Sequence, residues 1–438
     1  MQNGNSAPPG KIPRADSPSA ANWYALGLIT LAYALNIADR YSISTLVEPI
    51  KSEMGLSDAA VGFLTGVALA LFYVTLGIPL AKLADRSNRR NLLAAAVAVW
   101  SVMTAVCGFT HTFVQLMLAR FGVGVGEAGG TPASTSLIAD LFRPMQRPLA
   151  LSIFALGAPL GAWLGSEVAG GIAETHGWRM AFIALGLPGV LLAAIILATI
   201  REPVRGTLDA ATPGNAAGRS LTETLAHVLH CRSVFHLIAG ATVLTFWSWG
   251  LLWWTPAFLM RSYGFSVGEA GALLGPMHLI GGSGSLLATA FLMSLRVFHD
   301  PRAVVRLIAL CSLAATVPSV LVYAGGRPLL EPMLWILVPA TYFFLGPTLG
   351  LLQNLMPAGM RAQGTAVLLF TANVANLVIA PQLLGLASDW VGALTALGQD
   401  SLRWVLVFTA PTGFWGAWHM WRCGRTVRED QRAVLGGH

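Results

Sequence analysis

The sequence predicts an all-α membrane protein, with twelve transmembrane helices in two pseudo-symmetric six-helix bundles. Three observations carry that prediction. The chain is 55% hydrophobic and only 11% charged, where a soluble domain carries about 25% charged residues. Its apolar stretches are each long enough for the roughly 20 residues of helix that cross the hydrocarbon. They fall into two sets of six around a polar segment, and the basic residues gather at alternate gaps between them.

Taken in order, residues 1–22 are polar and rich in Pro, Ser, Ala and Gly, which predicts a disordered cytoplasmic N-terminus and not a signal peptide. Apolar stretches follow at about 23–47, 59–83, 91–110, 112–138, 149–173 and 178–200, giving an N-terminal bundle over 23–200. Segment 201–235 is too polar for lipid and predicts a cytoplasmic linker. Stretches resume at about 236–260, 270–294, 303–323, 333–356, 362–388 and 402–421, a C-terminal bundle over 236–421. Residues 422–438 form a cytoplasmic tail.

Cytoplasmic loops collect Lys and Arg. With the N-terminus cytoplasmic, twenty of the 27 basic residues lie on that side. Lys51, Arg179, Arg261, Arg327 and Arg403 lie on the other, and Arg40 and Arg120 fall within the membrane. The net charge of +7 is therefore a topology signal, and nucleic acid is not an expected partner. Cys107, Cys231, Cys311 and Cys423 are scattered singly, without metal-ligand spacing or a disulfide framework.

Function is concentrated in four charges. Asp39 and Arg40 sit side by side in the first apolar stretch, and Arg120 and Glu127 lie in the fourth. A charged side chain at the bilayer centre costs about 3 kcal/mol on insertion scales. Arg120 and Glu127 are seven residues apart, nearly two helical turns, so they share a face about 10 Å apart. The glycines between them, Gly122, Gly124 and Gly126, suit close helix packing better than a dinucleotide loop, since no strand precedes them. One reading makes the four charges structural ion pairs. The other makes Glu127 and Asp39 proton carriers and Arg40 and Arg120 ligands for a phosphate or carboxylate, because an arginine drawn away from an acid raises that acid's proton affinity. Of the two acids Glu127 is the expected main carrier, since Asp39 has Arg40 beside it.

The loop after the second stretch reads Gly77-Ile78-Pro79-Leu80-Ala81-Lys82-Leu83-Ala84-Asp85-Arg86-Ser87-Asn88-Arg89-Arg90. It resembles the Gly-x-Leu-Ala-Asp-Arg-x-Gly-Arg-Arg pattern of the major facilitator superfamily, with Ala81 and Asn88 where glycine is usual. Asn88 is expected to tolerate a left-handed backbone there. The resemblance implies gating by Asp85, Arg86, Arg89 and Arg90, with Asp85 at the positive N-terminus of the eleventh span as a cytoplasmic latch. A narrower resemblance follows from Asn36-Ile37-Ala38-Asp39-Arg40, and from Arg120 through Gly-Glu-Ala to Ile138-Ala139-Asp140-Leu141-Phe142. Both look like Spinster-type transporters, a family that carries lysolipids and sphingosine-1-phosphate, with proton coupling implicated for some members. Anion:cation symporters of sugar acids share the Asp-Arg pair and the Arg-Glu spacing.

No Asp, Glu, Lys or Arg lies within the interior of the six later stretches, Arg306 and Arg403 standing near their ends. Asn373 and Asn376 are expected either to face the substrate or to bond neighbouring helices. Trp247, Trp249, Trp253 and Trp254 read as an interfacial belt, with a wall for a lipid tail as the sharper alternative. His278 reads as a structurally satisfied histidine. Gly157-Ala158-Pro159-Leu160-Gly161 approximates an antiporter motif, interrupted by Ala158. A charged first half and an uncharged second half suit an amphipathic anion. Nucleotide-loop, nucleophile-elbow and zinc-pair motifs are missing, so no enzymatic activity, cofactor or metal is expected.

The expectation is a proton-coupled transporter of a lysolipid-like anion working by alternating access. It would be a monomer in a bacterial plasma membrane, with protons and membrane lipids as its other partners. The alternatives are a sugar-acid symporter and a non-transporting receptor.

Overall fold

The structure, a computed structural model, describes residues 18–68, 87–204 and 220–435. Every regular element among them is helical. The first span is Ala20–Thr45, the third Arg89–Cys107 and the fourth Phe113–Leu141. The second opens as Asp58–Gly62, continues through a widened turn at Phe63–Val67, and then leaves the described residues. Eight helices are long and apolar enough to cross a membrane by length and composition. One of them, Arg147–Thr199, turns back at Gly177 (φ 80°) and supplies the fifth and sixth spans. The second span, the fourth with its buried charges, and the divided twelfth (Ser401–Thr409, Thr412–Leu435) complete twelve.

Both ends of the described chain lie at one face, here the terminal face. There Asn22 Nδ2 donates to the Leu141 carbonyl at 2.7 Å and Trp23 meets Phe142 edge-on, while Ser233 takes the Asp430 carboxylate at 3.1 Å. At the far face, Trp178 and Arg179 donate to Glu53 at 2.7 and 2.9 Å. Local capping sets several span ends. Asn88 is one of these: its backbone is extended, and its side chain accepts from Asn91 N at 2.9 Å as the N-cap of the third span. The expected left-handed role is thereby replaced by a capping role, for which asparagine is among the best residues.

Small residues fix how the first half packs. A methyl group on Gly126 would stand 2.5 Å from Trp100 N, and one on Gly157 would stand 2.9 Å from the Thr30 carbonyl. The fourth span thus closes on the third and the fifth on the first, as in small-residue membrane interfaces. The antiporter-like Gly157 and Gly161 are accounted for by this contact with the first span.

The halves also touch through glycine. A methyl on Gly62 of the second span would lie 2.5 Å from the Pro381 carbonyl of the eleventh, and Ser44 donates across to the Trp253 carbonyl at 2.6 Å. Among the described residues, a cavity of about 750 Å³ separates the fifth span (Leu151, Leu156) from the eighth and tenth (Leu286, Met293, Tyr342, Phe343).

Candidate functional site

The four predicted charges meet between the first and fourth spans, and their pairing crosses. Arg120 Nη1 donates to Asp39 Oδ2 at 2.5 Å, while Thr104 of the third span donates to Asp39 Oδ1 at 2.6 Å. Arg40 donates through Nε and Nη2 to Glu127 Oε2, at 3.0 and 2.7 Å. Adjacent helical residues point about 100° apart, so Asp39 and Arg40 cannot serve each other best. The argument from Arg40 lying beside Asp39 is therefore corrected: the cation of Asp39 is Arg120, and Arg40 belongs to Glu127.

The two acids differ in what remains free. Both Asp39 oxygens are engaged, whereas Glu127 Oε1 is buried without a hydrogen-bond partner. Arg120 Nε and Nη2 are buried in the same condition. Arg40 keeps 12% of its side chain accessible, against 0% for Glu127 and for Arg120. The cation most able to leave its acid is thus the one on Glu127.

The expected gating residues divide. Asp85 and Arg86 lie outside the described residues. Arg89 is buried and donates to Glu202 at 2.8 Å, to Ser136 Oγ at 3.1 Å, to the Pro203 carbonyl at 2.9 Å and to Asp140. Arg90 gives its backbone N–H to Glu202 at 2.8 Å and a guanidinium N–H to the Ile200 carbonyl at 3.3 Å. Both arginines therefore staple the third, fourth and sixth spans within the first half.

A contact between the halves that sequence reading missed lies at the far face. Asp389, in the last part of the eleventh span (Ala380–Leu394), accepts the backbone N–H groups of Asp58 and Ala59 at 2.9 and 2.8 Å. Asp58 in turn takes Arg261 of the seventh span at 2.7 and 2.6 Å, Lys51 at 2.5 Å and Ser388 at 2.6 Å. Arg261 also holds Glu48. This is the arrangement expected of Asp85 on the eleventh span, found on the opposite face with the halves exchanged. Its signal was present in Gly385-Leu386-Ala387-Ser388-Asp389, a glycine-to-acid run like that of the second-span loop.

In the second half, Asn373 and Asn376 flank and enter the widened turn Val374–Ile379. Asn376 is 9% exposed, and its Oδ1 has no hydrogen-bond partner. The expected tryptophan belt is corrected: Trp247, Trp253 and Trp254 are buried in the core, and Trp247 donates to Ser319 at 3.2 Å. Trp249 packs on Tyr41. A belt and a packed core have the same composition in sequence, and only the neighbours separate them. His278 is satisfied by Tyr342, at 3.0 Å.

Two six-span halves joined at the far face, with a cavity between them and paired charges buried in the first, have the architecture of a helical membrane transporter. The chain belongs to the Major Facilitator Superfamily, whose family model matches residues 29–381. It is of Spinster type. It superposes at a TM-score of 0.81 and 27% identity, over 94% of this chain and 99% of the other, on the crystal structure of a bacterial homolog to the human lysosomal transporter Spinster in an inward-facing, unoccupied conformation. An MFS-type efflux pump of Mycolicibacterium smegmatis is 31% identical over 93% of this chain and 94% of its own. The probable L-galactonate transporter of Escherichia coli is 27% identical over 64% of this chain and 63% of its own. A sphingosine-1-phosphate transporter of Danio rerio is 32% identical over 54% of this chain and 48% of its own.

Proposed function

We propose that this transporter couples a proton to an amphipathic anion of the lysolipid or sphingoid-phosphate type, by alternating access with both termini cytoplasmic. The observation that carries the reading is the apolar cavity of about 750 Å³ between the halves, whose inner wall includes Tyr342. Its volume lies in the range of small-ligand pockets. Leu286, Leu287, Ala290, Met293, Phe343 and Pro347 give it walls suited to a chain and not to a sugar. Tyr342 is hydrogen-bonded to His278 at 3.0 Å, and His278 stands edge-on to Tyr41 of the first span at 4.7 Å; the anionic head of a chain in the cavity is proposed to turn toward that span, which carries the Arg40–Glu127 pair.

When Arg40 turns to the head, Glu127 loses the charge that keeps it ionised and takes a proton. Asp39, held by Arg120 and Thr104, keeps the first span in place, and Arg120 serves binding through that geometry. Asn373 and Asn376 offer the second half's uncharged contacts. Asp85 and Arg86 are proposed to latch the terminal face when it closes.

The likeness to the L-galactonate transporter favours a second reading, symport of a compact sugar acid. Purified protein in liposomes separates the two. Lysophosphatidate should move protons in a substrate-dependent way and galactonate should not. Proton movement with galactonate alone would replace the lipid reading with the second.

A further inference from the structure

Two local irregularities converge in the second half on residues that the charge network does not use. The tenth span is broken between Arg327–Ala340 and Leu345–Leu355, leaving Thr341 to Phe344 outside any helix. The eighth span widens into a π turn at Met277–Gly282, which contains His278. These two breaks face each other: a methyl on Gly282 would stand 2.9–3.1 Å from the Tyr342 ring, so only glycine admits the tyrosine. Broken and widened membrane helices are where transporters place binding groups, because backbone can leave the helical ladder only against protein or a cavity.

The side chains at the breaks form a neutral polar chain across the halves. His278 Nδ1 is hydrogen-bonded to the Tyr342 hydroxyl at 3.0 Å, and His278 is 1% exposed. Tyr41 stands edge-on to His278 at 4.7 Å and against Trp249 at 5.7 Å. A tyrosine hydroxyl has one proton to give. Tyr342, which also lines the cavity, therefore has a single donor and keeps acceptor capacity beyond its bond to His278.

We propose that Tyr342 and His278 determine substrate specificity by binding a hydroxyl group at the junction of the substrate's anionic head and its apolar chain. This deepens the lipid reading and rests on it. The Tyr342 oxygen keeps acceptor capacity beyond its bond to His278, so a ligand hydroxyl can donate to it while His278 holds it in place, where a methylene leaves that lone pair buried and unpaired. A buried polar site rejects an analogue lacking its partner group far more strongly than an apolar pocket rejects a small change in size.

The experiment is equilibrium binding to the full chain in nanodiscs, with 1-acyl lysophosphatidate and with its 2-deoxy analogue of the same chain length. The parent should prefer the hydroxylated ligand by about tenfold or more. Tyr342→Phe keeps the ring against Gly282 and should bring the ratio to about one, chiefly by weakening the hydroxylated ligand. His278→Gln, which keeps a hydrogen-bonding group, should retain part of the preference, and His278→Leu should lose it. Equal binding of both ligands by the parent, or a ratio unchanged in Tyr342→Phe, overturns the assignment and leaves the lipid reading standing. Failure of the parent to bind either ligand overturns the lipid reading, and this assignment with it.

Discussion

The two halves solve the membrane's constraints in opposite ways. The first half buries four charges and neutralises them pairwise, Asp39 with Arg120 and Arg40 with Glu127, on spans that run unbroken through the site. The second half holds no ion pair at that depth among its described residues, and its eighth, tenth and eleventh spans widen or break; in the first half the widened turns, Phe63–Val67 and Leu164–Val168, fall on the second and fifth spans and not on the two that carry the charges. Charge demands rigid partners, since an unpaired buried ion costs several kcal/mol. Neutral hydroxyls, amides and imidazole tolerate exchange of one partner for another. In the proposed function, this difference is why coupling is placed in the first half and substrate fit in the second.

The largest expected effect tests that division directly. With one proton per substrate, one unit of pH gradient sustains about tenfold accumulation. Glu127→Gln should show no gradient-driven accumulation in liposomes while retaining downhill exchange, because Arg40 remains to bind the anion. Arg40→Ala should lose binding itself. Accumulation by Glu127→Gln equal to that of the parent, with the same pH dependence, would take the proton out of the first half altogether.

The next effect is on stability. Arg120→Leu leaves Asp39 buried without its cation and should cost about 3–5 kcal/mol, seen as a large fall in thermal midpoint. Arg120→Leu combined with Asp39→Leu should recover most of that loss, since apolar replacements of a buried pair are often neutral. Substitutions at Asn376, whose amide oxygen is already unpartnered, should stay within about 1 kcal/mol. If the Asn376 variants prove as costly as Arg120→Leu, the second half is as rigidly specified as the first.

How much of this was legible in sequence follows the same contrast. Asp39, Arg40, Arg120 and Glu127 stood out because lipid makes charge conspicuous, and twelve apolar lengths gave the architecture. The crossed pairing did not stand out: it depends on the register between the first and fourth spans, set by contacts such as Gly126 on Trp100 that local spacing does not encode. Tyr41, Tyr342 and His278 were hidden or undervalued because aromatic residues are ordinary in apolar spans. Asp389 was passed over because the apolar count ended one residue before it. Asn88 was assigned a turn conformation when its chemistry served equally well as a cap.

The smallest effects belong to the far-face contact, where the two halves act as one. Asp389→Asn removes a full charge from two backbone N–H groups and should shift the closed face toward open by about 1–3 kcal/mol. Distance distributions between labels on the exposed Ser52 and Gly326 would report that shift. The same labels then test where protons act. Burial alone would lift the Asp58 carboxyl above 3.8, but the bonds and charge of Arg261, with those of Lys51 and Ser388, hold it down at about 2. A carboxyl lowered in the assembled state stabilises that state fully above its free value, and the stabilisation is lost only as pH falls toward the lowered one. Between about pH 5 and 8 the contact is therefore saturated, and the unliganded distance distribution of the Glu127→Gln variant should not change. Opening of the far face over that interval in Glu127→Gln would make this contact, and not the midplane acid, the element that senses protons.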